Sequence, residues 1–161
     1  MPFYWPGAVH WSGAATQSLS AAALSALLLS SAVKHFRDPG FYRQVVPGYL
    51  CRLDGQGSAG AAGGKRPLAV MTREEWIALS GLVEAGAAVG LLIPAARRAT
   101  ATGVAVLLGV FLAGHVEAVR RAYGPSGSPA QRKVHTVRLP LQVPLILWAW
   151  SVRNAGRRRS A

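Results

Sequence analysis

The stretch SGLVEAGAAVGLLIP, residues 80–94, places one carboxylate, Glu84, inside a run of apolar and small residues. Glu84 lies eight residues after Trp76 and ten before Pro94, which correspond to about 12 Å and about 15 Å along a helix. If the run crosses a membrane, Glu84 lies near the midplane, where an ionised acid costs at least ~2.5 kcal/mol. The acid must then face the interior of a helix bundle and find a partner there, or remain uncharged.

The composition of the whole chain indicates a membrane protein. Of the 161 residues, 51% are hydrophobic and only 15% are charged, whereas soluble domains are nearer a quarter charged. The formal net charge is +12, but the basic residues lie between and after apolar runs rather than along one face. They are typical of residues that flank membrane spans, and we expect no nucleic-acid partner. The excess of Arg over Lys, together with abundant Ala and Gly, suggests a GC-rich bacterial genome, and we expect a multi-pass protein of a bacterial plasma membrane.

Four apolar segments predict an all-α fold, a four-helix transmembrane bundle in contact with the lipid bilayer. The expected spans are residues 11–33, 76–93, 99–119 and 137–152. Residues 1–154 would form a single four-span domain, and residues 155–161 a basic tail. The fourth segment is short for a hydrocarbon core of about 30 Å, so we expect it to extend back to Val134 with Arg138 snorkelling.

The connection after the first span has two predicted parts. The stretch DPGFYRQVVPGYL, residues 38–50, predicts a short interfacial helix with Asp38 as N-cap and Pro39 at its first position. Its apolar face would carry Phe41, Tyr42, Val45 and Val46, and its polar face Arg43 and Gln44. Residues 54–67 predict a flexible Gly-rich linker.

Local signals set the helix ends. Thr72 and Glu75 have the spacing of a capping box at the start of the second span, and Pro94 ends that span. Glu117 and Arg121 are spaced for an ion pair at i,i+4.

Five polar side chains are predicted to meet in one half of the bundle. The second and fourth spans begin on the side where the first and third end, so their polar residues converge there. The set comprises His35, Glu84, His115, Arg138 and Gln142. Two interpretations stay open: a polar pocket for a lipid-soluble ligand, such as a quinone headgroup, or for a proton relay; and a purely structural cluster in which Glu84 fixes helix packing.

The sequence gives little support for a metal site, a catalytic site or a nucleotide-binding site. His10 and His135 are interpreted as interface or loop residues. No span carries two ligands at i,i+3 or i,i+4, so we predict no metal site. No nucleophile–base pair or nucleotide motif is visible, and the sequence identifies no catalytic residue.

Small residues predict where the second span packs. Ser80 and Gly81 share the face of Glu84, and Gly86 with Gly90 forms a GxxxG pattern on the far side. That pattern can pack against another helix or a second protomer in a homo-oligomer. Random spacing in a span rich in Ala and Gly explains it equally well.

The order of these features resembles the DoxX family of small four-span bacterial membrane proteins. The resemblance is carried by HFRDPGFYRQVVPGYL (35–50), WIALSGLVEAGAAVGLLIPAARRATATG (76–103) and RLPLQVPLILWAW (138–150). Members often have Phe-Pro-Ala-Asn late in the third span, where this chain has FLAG at 111–114. The resemblance implies a compact four-helix bundle but no catalytic set.

The resemblance also implies a setting for the function. Relatives are linked to quinone-dependent sulfur oxidation and to membrane complexes that handle redox stress. We therefore expect an accessory subunit of a membrane redox or oxidative-stress system, with membrane or peripheral redox proteins as partners and with quinone contact through the Glu84 pocket. Any catalytic activity would belong to a quinone-linked oxidoreductase complex. The alternative is a structural or assembly partner of other membrane proteins that binds no ligand.

Overall fold

A computed structural model describes residues 13–52, 69–125 and 127–154. Within these ranges the chain forms four α-helices: α1 (Gly13–Arg37), α2 (Arg73–Leu92), α3 (Arg97–Ala122) and α4 (Pro129–Asn154). The described residues contain no strand, although Cys51 and Met71 form an isolated bridge. The all-α prediction is confirmed for this part of the chain. The predicted linker at 54–67, the tail at 155–161 and His10 lie outside it.

Three helices are long and apolar enough to cross a membrane: Ala15–Arg37, Arg73–Leu92 and Arg97–Ala122. They correspond to the first three predicted spans. The fourth helix is as long as α3, but it begins eight residues before the predicted span and includes Arg132, Lys133 and Arg138. α4 is not among the three helices that are apolar enough to cross a membrane by composition.

The predicted helix-end signals form as expected. The Thr72 hydroxyl accepts a hydrogen bond from the Glu75 N–H at 3.1 Å, and the Glu75 carboxylate accepts one from the Thr72 N–H at 2.7 Å. Glu117 pairs with Arg121 at 3.0 Å. Both local predictions are confirmed because each depends only on residues within one helical turn.

The bundle is built from two helix pairs, since α1 packs mainly on α2 and α3 mainly on α4. We call the end with the α2–α3 turn, residues 93–96, the turn end. The opposite end, which carries residues 38–52, is the loop end. The hydrophobic core fills the turn end. Its members include Leu24, Leu28, Ala88, Leu91, Val104 and Val152.

Two side-chain hydrogen bonds join the helices of this core. Ser25 Oγ of α1 donates to Ala88 O of α2 at 2.7 Å, and Trp148 Nε1 of α4 donates to Ser20 Oγ of α1 at 2.8 Å. The second bond links one helix pair to the other. The turn end is thus the half of the bundle that holds the packed apolar core.

Glycines allow close approach at three places. A Cβ atom on Gly81 would lie 2.9 Å from His35 Cβ, and one on Gly90 would lie 2.6 Å from Thr100 Oγ1. A Cβ on Gly114 would lie 2.5 Å from the carbonyl oxygen of Val45. Gly86 meets no atom within 4 Å. Gly86 and Gly90 therefore do not pack together on one neighbour within the described residues, and only Gly90 contacts a helix, α3.

Residues 38–50 do not form the single interfacial helix that the sequence predicts. They form two 3-10 turns, Pro39–Tyr42 and Gly48–Leu50. Asp38 makes no side-chain cap and instead accepts a hydrogen bond from Lys34 Nζ at 3.1 Å. The chain is tied down by tertiary contacts: Tyr42 is buried, and Arg43 pairs with Glu74. These contacts outweigh the weak helical preference of a segment with glycine and proline at both ends.

Replacing Gly81 and, separately, Gly86 with alanine distinguishes an effect on helix packing from an effect on helix propensity. In Gly81→Ala the added methyl group pushes α1 away from α2, so the free energy of unfolding should fall by about 1–3 kcal/mol. Gly86→Ala meets open space and should leave stability unchanged or raise it by up to ~1 kcal/mol. Denaturation in detergent, followed by circular dichroism, measures both. Equal effects of the two substitutions would contradict the close α1–α2 contact.

Candidate functional site

A pocket of about 460 Å³ lies at the loop end, between the two helix pairs. All five residues of the predicted polar cluster line it, together with Ser80. They come from every helix: His35 from α1, Glu84 from α2, His115 from α3, and Arg138 and Gln142 from α4. The structure therefore brings together the side chains that the sequence predicts to converge.

The rest of the pocket wall is almost entirely apolar. Its inner surface includes Leu28, Ile77, Leu108, Phe111 and Leu145. Leu79, Val83 and Val110 also line the pocket but are 39%, 44% and 64% exposed on the outside of α2 and α3. The pocket thus reaches the side of the bundle, where its border is apolar.

Glu84 is held in the α1–α2 interface at 4% exposure. Its Oε2 atom lies 3.5 Å from His35 Nδ1, which is also 2.9 Å from the carbonyl oxygen of Ser31. Oε2 has no hydrogen-bond partner among the described residues. Gly81, one turn before Glu84 on α2, brings α1 close enough for this contact.

Residues 38–50 close the pocket at the loop end. The Tyr42 ring stacks on His35 with 3.6 Å between centroids and an interplanar angle of 20°. Trp76 Nε1 donates to the carbonyl oxygen of Leu50 at 2.8 Å, which fixes the second 3-10 turn against α2. Tyr42, Val45, Val46, Pro47, Tyr49 and Leu50 line the pocket from this segment.

Arg138 and Gln142 face inward from α4. The Arg138 guanidinium lies 4.5 Å from the centroid of the Phe41 ring and 5.9 Å from that of Tyr42. Gln142 is 7% exposed. We expected Arg138 to snorkel toward water; instead it is half-buried, because the Phe41 and Tyr42 rings lie against it. Arg138 Nη1 and Gln142 Oε1 are buried without hydrogen-bond partners in the described part of the chain.

The two histidines of the α3–α4 pair differ in their contacts. His115 is buried, and its Nδ1 atom has no partner within the described ranges. His135 is buried as well, and its Nε2 lies 2.9 Å from Gln44 Oε1. His135 does not lie in a loop, since α4 begins at Pro129 and includes it. Gln44 was predicted on an outer polar face and instead points inward.

Sequence reasoning missed His135, Tyr42 and Gln44. For His135 a signal was present: residues 135, 138 and 142 are spaced i, i+3 and i+7, so a helix that includes all three puts them on one face. Tyr42 and Gln44 carry no such signal, because their positions depend on contacts with α1 and α4.

One family model matches most of the chain. It is described as a domain of unknown function, DUF8561, and it covers residues 24–153, which include every residue that lines the pocket. No curated protein and no solved structure matches the chain.

The His135–Gln44 contact can be tested by a double-mutant cycle. Gln44→Leu leaves the buried His135 Nε2 without its partner, so the free energy of unfolding should fall by about 1–3 kcal/mol. His135→Leu should also destabilise, and the double variant should lose less than the two single losses together, by about 1 kcal/mol. Additive losses in chemical denaturation would contradict the hydrogen bond.

Proposed function

Since the chain belongs to the DUF8561 family, whose description assigns no function, we propose from the pocket itself that it is a four-span membrane protein that binds a quinone headgroup. On this proposal it is a non-catalytic accessory subunit of a membrane redox or oxidative-stress system. The proposal has two parts, the fourth span and the ligand, and each has its own support.

The outward surface of α4 supports its assignment as a fourth span. Its 26 residues give a length of about 39 Å, enough for a hydrocarbon core of about 30 Å. Its exposed residues over three central turns are apolar. They include Val137, Leu141, Val143 and Leu147, all more than half exposed. The polar His135 and Gln142 are buried against the other elements, as polar residues of a span should be.

Four unpartnered polar atoms carry the ligand proposal. They are Glu84 Oε2, His115 Nδ1, Arg138 Nη1 and Gln142 Oε1, all buried and without hydrogen-bond partners among the described residues. Each residue lines the same pocket. An unsatisfied buried polar atom costs about 1–3 kcal/mol. A ligand with oxygen atoms at this point would restore hydrogen bonds that the protein alone does not make.

A quinone fits this combination of groups. The pocket volume of about 460 Å³ is in the ordinary range for small-molecule sites. The Arg138 guanidinium can donate to a carbonyl oxygen, and the Gln142 amide offers both a donor and an acceptor. The apolar side opening between Leu79, Val83 and Val110 gives a hydrocarbon tail a path to the lipid.

The protein's own contribution would be binding and orientation. A bound quinone supplies two-electron, two-proton redox chemistry. Glu84, beside His35, can hold or release a proton next to the headgroup, and Arg138 favours electron density on the oxygen that it contacts. The resemblance to the DoxX family favours a redox setting, in which a partner protein would carry out the reaction.

Glu84→Gln tests the ligand proposal. The substitution keeps the shape of the side chain and removes its charge and proton, so affinity for a short-chain ubiquinone analogue should fall about tenfold or more. Quenching of Trp76 fluorescence reports binding, because Trp76 lines the pocket. Mass spectrometry of quinone co-purified from membranes gives a second measurement.

Glu117→Gln is the matched control, since Glu117 pairs with two arginines of its own helix and does not line the pocket. It should leave quinone affinity unchanged. If Glu84→Gln lowers the amount of folded protein but not the affinity of what remains, Glu84 is a packing residue. That result, together with recovery of a stoichiometric membrane partner by cross-linking, would support the structural alternative.

The fourth span makes a topology prediction. Four crossings place the chain before α1 and the chain after α4 on the same side of the membrane. Fluorescent and alkaline phosphatase reporters fused ahead of α1 and after Asn154 should therefore give the same compartment. Opposite compartments would mean three crossings, with α4 lying outside the hydrocarbon core.

A further inference from the structure

Two arginines converge on one glycine at the loop end. Arg73 is in the first turn of α2, and Arg121 is in the last turn of α3. A Cβ atom on Gly48 would lie 3.6 Å from Arg121 Nη2 and 4.0 Å from Arg73 Nη2. The two guanidinium groups therefore flank a small space that the absent side chain of Gly48 leaves open.

Nearby carboxylates do not neutralise Arg73. Glu74 pairs with Arg43, and the Glu75 carboxylate is used in the cap at Thr72. Glu117 pairs with Arg121 and with Arg120. Among the described residues Arg73 forms no ion pair, and its Nε is buried without a hydrogen-bond partner. A guanidinium group without an anionic partner in the protein favours the binding of an anion that does not belong to the protein.

The residues around this space are of the kinds that lie near lipid headgroups in membrane proteins. Tyr49, next to Gly48, is 55% exposed, and Trp76 is one turn further along α2 from Arg73. Aromatic residues of this kind are enriched where membrane meets water. Leu79, Val83 and Val110 follow toward the turn end and are exposed on the outside of the bundle. The charged ends of α2 and α3 are thus followed, toward the turn end, by exposed apolar residues.

We propose that Arg73 and Arg121 bind the phosphate of an anionic phospholipid over Gly48. One acyl chain of this lipid lies along the outer faces of α2 and α3. Guanidinium groups suit phosphate oxygens because they donate hydrogen bonds in a planar fork. The exposed apolar residues Leu79, Val83 and Val110 on the same two helices favour a lipid over a free phosphate ion. The phosphate site lies outside the polar cluster of Glu84, and it stands whether or not the pocket binds a quinone; the acyl chain and a quinone tail would both lie beside Leu79, Val83 and Val110.

Native mass spectrometry of the full chain in detergent tests the site. Equal amounts of phosphatidylglycerol and phosphatidylcholine are added, and the retained molecules are counted. Arg73→Gln and Arg121→Gln should each reduce the preference for phosphatidylglycerol about fivefold. Arg98→Gln is the matched control, because Arg98 is exposed at the turn end, and it should change nothing.

Gly48→Leu tests the same space without removing a charge. It should reduce the preference for phosphatidylglycerol while the net charge stays the same. Full retention by Gly48→Leu, or equal losses in Arg73→Gln and Arg98→Gln, would mean diffuse attraction and would overturn the site. Inorganic phosphate alone should not bind at millimolar concentration. If it binds and displaces phosphatidylglycerol, the site takes a free anion and the lipid assignment is wrong.

Discussion

The burial of Glu84 in the middle of an apolar helix is the constraint on which the loop end depends. A carboxylate at that depth needs polar neighbours, and these must come from other helices. Gly81 lets α1 approach until His35 lies beside the acid. His35 in turn carries the Tyr42 ring, and Tyr42 fixes the segment that closes the pocket. One acid thus determines the packing of two helices and the path of the chain that follows α1.

The two halves of the bundle differ in packing and in polarity. The turn end is filled with small and branched apolar side chains and has its helices joined by Ser25 and Trp148. Four of the residues that line the pocket at the loop end each have a buried polar atom without a hydrogen-bond partner in the described residues, at a cost of about 1–3 kcal/mol per atom. The protein folds despite this cost in free energy because the apolar core offsets it. Binding sites in proteins are commonly assembled in this way, on a rigid element that supplies the folding free energy.

The sequence predicts the parts that depend on short-range patterns. The capping box at Thr72 and the Glu117–Arg121 pair follow from spacing within one turn. The convergence of Glu84, His35 and Gln142 follows from helix faces and from the order of spans. His135 was missed because the start of α4 is charged and does not resemble a span. The path of residues 38–50 was missed because it is set by contacts distant in sequence, such as Arg43 with Glu74 and Gln44 with His135. The fourth span, the ligand and the family resemblance to DoxX stay predictions.

The arrangement of the helices as two pairs has a consequence for how the protein assembles. Each pair joins neighbours in the chain, so α1 with α2 and α3 with α4 form two separate helical hairpins. The pocket does not exist until the hairpins meet, because each supplies only part of its wall. Any molecule that binds there favours the assembled bundle by mass action, in proportion to the logarithm of its concentration over its dissociation constant. The amount of folded protein would then rise and fall with the supply of any such molecule.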